Sequence, residues 1–261
     1  MDKEVRLKEP GLCPICGMKL VPGLPDPLEY PVELTAKPRV LKAGDPIQLA
    51  FRVQDPKTAQ QVREFDVVHE KLYHLFVISQ DMSFFVHEHP KILADSSFQL
   101  SVRFPKPGLY RVLNDFYPRG GTPQLVEKTL MVPGPGFELK TAKLNPDLAP
   151  QRAENLDVEL VMDPPNPVRG EKTLMFFRLT PNTGIEPLLG AMGHMLAASS
   201  DLIDMIHTHP LVVTDPIDAK YKQIQFNVIF PRQGMYRVWV QFQRNGVVDT
   251  VAFNIPVGEL K

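Results

Sequence analysis

The sequence is poor in cysteine. Cys13 and Cys16 are the two it has in 261 residues, and they stand three positions apart. A disulfide between them could not tie distant parts of the chain, so the redox compartment is not legible from pairing. Long apolar runs are also missing: none reaches the ~18 residues that span a bilayer as a helix. Neither sign of charge is in excess. The 29 Lys and Arg residues against 30 Asp and Glu leave a formal charge of −1, which predicts neither nucleic acid nor an anionic membrane as partner. The opening "MDKEVRLKEP" has no apolar h-region of the kind a signal peptide needs. It predicts a cytoplasmic chain, or one that starts downstream of a removed leader. Stretches of helical periodicity free of proline and glycine are scarce, which leaves strands and loops as the main elements.

Proline, by contrast, is abundant at 27 residues, roughly twice ordinary usage. The prolines fall between short apolar runs, as in "PGLPDPLEYP" and "DPPNP", a pattern of short strands joined by irregular loops. Apolar residues at 43% and charged residues at 23% suit a globular chain long enough for two cores. Internal repetition also indicates two. "VELTAKPRVLKAGDPIQLAFRV" (32–53) is echoed by "VELVMDPPNPVRGEKTLMFFRL" (158–179). "HLFVISQDMSFFVHEHP" (74–90) is echoed by "HMLAASSDLIDMIHTHP" (194–210), and "FPKPGLYRVLNDF" (104–116) by "FPRQGMYRVWVQF" (230–242).

The expected division is a partial metal-binding segment at 1–29, a β-sandwich repeat at 30–134, a linker at 135–155 and a second repeat at 156–261. The expected fold is all-β: two tandem immunoglobulin-like or cupredoxin-like sandwiches of roughly seven strands each. Tyr110 and Tyr236 follow proline-bearing turns in Gly-x-Tyr-Arg-Val stretches. They are assigned to the corner before a late strand, where a tyrosine hydroxyl bonds back to the chain.

Four of the seven histidines lie in two His-x-His-Pro units, "FFVHEHP" and "DMIHTHP", 120 residues apart. Residues i and i+2 of a strand share a face, so His87 and His89 project together, as do His207 and His209. "QDMS" separates the first unit from the apolar run "LYHLFVIS" and makes 72–89 a candidate hairpin. A two-residue loop (80–81) sets His74 opposite His87, and a four-residue loop (80–83) sets it opposite His89. In both, the third histidine is a diagonal neighbour on the same face. A three-residue loop would bring Glu88 opposite instead. The second copy repeats the spacing with His194, His207 and His209 around "SSDL".

Three neutral imidazoles on a hairpin suit zinc or copper and leave a position for water or another ligand. Met205 shares the strand face of His207, and Met192 that of His194; these thioethers would favour Cu(I), with core packing as their competing role. Phe85 stands where Met205 stands, so the two sites are expected to differ. His69 has the wrong parity for the same face and can join only from a bulge or loop.

"PGLCPICGMKLVPG" (10–23) places two sulfurs at Cys-x-x-Cys spacing with Met18 as a third soft donor. No helix-forming stretch follows, which argues against a thioredoxin-like redox pair, and no second Cys-x-x-Cys completes a zinc ribbon. The stretch resembles the heavy-metal-binding module of copper-transporting P-type ATPases and of periplasmic adaptors of copper and silver efflux systems. Residues 10–22 match the second half of that module, Pro-Gly-x-Cys-Pro-x-Cys-Gly-Met-x-Leu-Val-Pro. The resemblance implies metal ligation by Cys13, Cys16 and Met18. The first half, Cys-Pro-Met-His-Pro, is absent, so the expectation is a truncated module. The repeats resemble, more loosely, β-sandwich repeats of secreted bacterial metal-binding proteins that carry this module, which implies a periplasmic or otherwise extracytoplasmic setting.

The function expected is non-catalytic transition-metal binding for extracytoplasmic trafficking, buffering or resistance. Copper, as Cu(I) or Cu(II), is the expected ion and zinc the alternative, with a metal efflux or trafficking component as partner. A metalloenzyme with three-His copper or zinc sites, superoxide dismutase-like or hydrolytic, is the first competitor. A structural or interaction sandwich whose histidines pin a hairpin is the second. No acid–base set is duplicated with the histidines, since Glu88 and Asp115 correspond to Thr208 and Gln241. That ranks catalysis lower.

Overall fold

The computed structural model describes residues 11–15, 17, 28–216 and 220–259. These contain β-strands and no helix, hence no helix long and apolar enough to cross a membrane. The first repeat holds β1 (Val32–Lys37), β2 (Pro46–Val53), β3 (Tyr73–Ser79), β4 (Phe85–Glu88), β5 (Lys91–Ile92), β6 (Phe98–Arg103), β7 (Gly108–Phe116) and β8 (Gln124–Val132). Strand β9 (Gln151–Arg152) pairs with the first long strand of the second repeat. The second repeat holds β10 (Asp157–Asp163), β11 (Lys172–Thr180), β12 (Ile185–Glu186), β13 (His194–Ser199), β14 (Met205–Thr208), β15 (Val212–Thr214), β16 (Lys222–Ile229), β17 (Gly234–Arg244) and β18 (Val247–Val257).

Each repeat is a two-sheet antiparallel sandwich. In the first, the sheets run β1-β2-β6-β5 and β4-β3-β7-β8. In the second they run β15-β16-β11-β10-β9 and β12-β17-β13-β14, with β18 paired to β17. The split, with the third and seventh strands in one sheet and the second and sixth in the other, is immunoglobulin-like. Strand β2 shows why such elements form. Ile47, Leu49, Phe51 and Val53 are buried while Gln48 and Arg52 between them are exposed, the period-2 pattern of a strand with one face on a core. Tyr110 donates its hydroxyl to the Lys106 carbonyl at 2.7 Å, and the Tyr236 hydroxyl donates to Asp204 Oδ2 at 2.7 Å with the Arg232 carbonyl 3.1 Å away.

Strands β3 and β13 break the alternation: every residue in both is buried. One face of each serves its own sandwich, with Leu75 and Val77 in the first core and Met195 and Ala197 in the second. The other face meets the neighbouring domain. Phe76, Ile78, Met82 and Leu113 form a third apolar cluster with Leu196, Ala198, Leu202, Met205 and Trp239. Phe85 stacks on Trp239 at 4.8 Å between ring centroids. The linker joins this packing through Ala142 and Leu144, and Asp147 pairs with Asn254 of β18. The two sheets thus face each other across the domain boundary.

Candidate metal centre

Both hairpins close in the four-residue register. Phe76 faces His87 and Leu75 faces Glu88 in β3–β4, while Leu196 faces His207 and Met195 faces Thr208 in β13–β14. That register places His74 opposite His89, and His194 opposite His209. Local chemistry sets the loop length. Asp81 accepts from Ser79 Oγ (2.7 Å) and the Ser83 amide (3.3 Å), and Asp201 accepts from the Ile203 amide (3.2 Å) and from Ser199 Oγ. Such side-chain bonds to nearby backbone stabilise turns. Met82 and Leu202 take φ of 57° and 56° at the third loop position and bury their side chains in the interdomain cluster.

A second duplicated turn precedes each hairpin. His69 and Glu70 have φ of 47° and 63°, and Leu189 and Gly190 have 51° and 75°. Two successive positive φ values mark a type I′ turn. It is closed by Val68 with Lys71 in one copy and by Leu188 with Ala191 in the other. The carbonyls that begin these turns orient the first histidine of each triad. His74 Nε2 donates to Val68 O at 3.0 Å, and His194 Nε2 donates to Leu188 O at 2.9 Å. Gly193 lets β13 start there, since a Cβ on it would lie 2.8 Å from Phe242.

All seven histidines of the chain gather where the two outward faces meet. His74, His87 and His89 place one ring nitrogen each within 4.8 Å of one another, as do His87, His194 and His207. His69 lies in its turn with its ring over His209 of the other domain, centroids 3.7 Å apart. The ring of His209 is 4.4 Å from that of His207 and 4.8 Å from that of His194. The sequence reading expected one triad per domain, and the structure joins the two triads in one cluster.

Hydrogen bonds across the boundary determine which nitrogens stay bare. His87 Nδ1 donates to Gln241 Oε1 at 2.7 Å, and the Gln241 amide is itself oriented by Thr250 at 3.0 Å. His207 Nδ1 bonds the Asp115 carboxylate. Asp115 and Gln241 pair with His74 and His194 at equivalent ladder positions, so the contacts are reciprocal, as in a two-fold interface. With these N–H groups committed, His74 Nδ1, His87 Nε2, His194 Nδ1 and His207 Nε2 are lone-pair atoms. In the second triad, His194 Nδ1, His207 Nε2 and His209 Nε2 are buried without a partner. Each such atom costs about 1–3 kcal/mol. In the first, the same three nitrogens lie close: His74 to His87 at 3.4 Å and to His89 at 3.1 Å. The lone pairs of His74 Nδ1 and His87 Nε2 face each other and repel unless a cation lies between them. His89 Nε2 in its N–H tautomer donates to His74 Nδ1, and in the other tautomer it joins the donor set. Imidazole nitrogens at ~2.05 Å from a tetrahedral ion stand about 3.3 Å apart, so the set fits such an ion.

The environment favours the neutral form, the form that binds metal, in six of the seven imidazoles. Burial is the main cause in every case. It lowers His69 and His74, pushes His87 well down, and holds His89 at about 3, His194 at about 4 and His209 at about 2. A cleft of about 600 Å³ is lined by His87 together with Glu88, Arg152, Trp239, Gln241 and Thr250 among others.

The other expected ligands lie elsewhere. Met205 is buried in the interdomain apolar cluster, whereas Met192 packs against the core of the second domain. Cys13 is buried, with the Gly17 amide donating to its carbonyl at 2.9 Å. Cys16 and Met18 lie outside the described residues. Asp115 and Gln241 were not legible as histidine partners from sequence. The available signal was that they occupy one repeat position with different chemistry.

Residues 1–22 match the family described as a heavy metal binding domain. No curated protein matches the chain. Similar solved structures include the Escherichia coli adhesin FdeC, 13% identical over 91% of this chain and 67% of its own, with a TM-score of 0.28. The Yersinia pseudotuberculosis adhesin InvE is 12% identical over 88% and 60%, with a TM-score of 0.27. A red sea bream transglutaminase is 11% identical over 88% and 31%, also at 0.27. This chain therefore spans between 31% and 67% of those chains, and likeness at such scores carries no argument about its activity. The two sandwiches, at residues 26–134 and 151–259, match a single family model that covers most of the chain, and the protein belongs to that family, described as a domain of unknown function (DUF8832).

Proposed function

We propose that this protein binds transition-metal ions without catalysis, that copper is the ion, and that it serves extracytoplasmic trafficking, buffering or resistance alongside a metal efflux or trafficking component. One observation carries the reading: buried imidazole nitrogens from both domains face one another with their N–H groups already committed elsewhere. An ion between them would relieve that arrangement, and the committed N–H groups are the hydrogen bonds that orient histidine ligands. An all-imidazole donor set suits copper or zinc. The buried Met205 and the soft Cys13, Cys16 and Met18 set favour copper of the two.

The test is elemental. The protein is stripped with a chelator, reconstituted with Cu(II), Cu(I) or Zn(II), and its bound metal counted. His87→Ala and His207→Ala are each expected to lower the bound metal, with copper retained more tightly than zinc. Unchanged metal content in both variants would abandon the reading.

A further inference from the structure

We propose that the histidine cluster is a two-ion centre, one ion on each triad, and that the triad of the second domain holds its ion more tightly. The inference rests on the reading of the cluster as a metal site and adds its stoichiometry and filling order.

The count follows from the donors. Hydrogen bonding leaves each triad Nδ1 of the first histidine and Nε2 of the second. The third adds its Nε2, which meets His74 Nδ1 in the first triad and is buried without a partner in the second. Donors on one ion at ~2.1 Å stand at most about 4.2 Å apart. The six do not fit one such sphere, because the compact groups are trios that share only His87. His209 stands beside the second trio with its Nε2 buried and unpartnered. His87 cannot serve two ions, since its Nδ1 is engaged by Gln241 and its Nε2 has a single lone pair. Each ion therefore takes three nitrogens from one hairpin. The rings of His87 and His194 are 5.3 Å apart, and those of His74 and His207 are 5.6 Å apart. Ions on neighbouring triads are thus close enough to sense each other's unpaired electrons.

The filling order follows from the one position at which the duplication is chemically broken. His207 leans on the Asp115 carboxylate, whereas His87 leans on the neutral Gln241 amide. A carboxylate behind a ligating histidine raises its donor strength and adds negative charge beside the cation, and such partners change metal affinity 10–100-fold. The ring of His69 also covers His209, while the equivalent position of the first triad is Leu189.

The experiment is a Cu(II) titration of the chelator-stripped full chain. Bound copper is counted by elemental analysis, and unpaired spins by electron paramagnetic resonance. Two coppers per chain are expected, with the spin count below the copper count at saturation. His89→Ala and His209→Ala are each expected to keep one copper with its full spin. Asp115→Asn should weaken the tighter ion about tenfold or more and leave the weaker one unchanged, and Gln241→Glu should strengthen the weaker one. Melting curves verify folding, and His→Gln replaces an alanine variant that does not fold. One copper in the parent chain, lost in either variant, overturns the two-ion centre and leaves the metal reading standing. No bound copper overturns both. Equal weakening of the two ions by Asp115→Asn overturns the filling order.

Discussion

His74 and His194 show how much a single residue owes to its surroundings. Each is almost fully buried, donates one N–H to a turn carbonyl and turns the other nitrogen toward its neighbours. A buried neutral imidazole has a consequence for stability. Burial holds His89 at about 3 and His194 at about 4 in the native state, against roughly 6.5 in an unfolded chain. As pH falls through ~6.5 the unfolded state takes up protons that the native state refuses, so stability present above that value is progressively lost. The metal-free protein is therefore expected to melt at lower temperature with each step from about pH 7 to about pH 4. Bound metal should be released over the same range, because protons compete for the same nitrogens. Thermal melts and metal retention across that range check both; a melting temperature that rises on acidification would contradict the burial argument.

At the scale of the element, the hairpin loop decides the site. The His-x-His spacing was legible because strand geometry puts i and i+2 on one face. Loop length was not legible, since two-, three- and four-residue loops all fit "QDMS". The choice is made by the Asp81 and Asp201 side chains, which cap the loop, and by Met82 and Leu202, which anchor it in apolar packing. Deleting Ser83 while the turn keeps four residues draws Phe84 into the loop and inverts the parity of β4. Glu88 then takes the place of His87 opposite Phe76, and His87 and His89 turn to the other face. The expected outcome is a folded sandwich by circular dichroism that has lost the metal bound by the first triad. A deletion variant that retains full metal content would show that register does not assemble the donors. His69 illustrates the complementary case: its parity excludes it from the strand face, and it reaches the cluster from a turn with positive φ.

At the scale of the molecule, two sandwiches are joined through a dry face and a polar patch. The dry face centres on Trp239, 4% exposed and stacked on Phe85. Trp239→Ala removes a buried aromatic side chain, at a cost of about 3–5 kcal/mol. Each domain core lies on the opposite face of its sheet and should survive. The expected result is a lower melting temperature with strand content preserved and weaker metal binding, measured by calorimetry and metal titration. Metal should in turn act as a clasp. An ion at 100 times its dissociation constant stabilises the native state by ~2.7 kcal/mol, so the melting temperature should rise with metal concentration in the parent chain.

The sequence by itself determined the local and the repeated. Period-2 burial, proline-bounded strands, the tyrosine corners and the duplicated histidine spacing all follow from neighbours in the chain, where geometry is nearly obligatory. The unbroken apolar stretch at "HLFVIS" was visible too, but not what would cover its second face. Tertiary structure alone decided that the outward faces of β3 and β13 meet, that two triads become one cluster, and that Asp115 and Gln241 exchange partners across the boundary. The physical reason is that docking two domains depends on complementary surfaces contributed by residues far apart in sequence, and no local periodicity encodes which surface will find which.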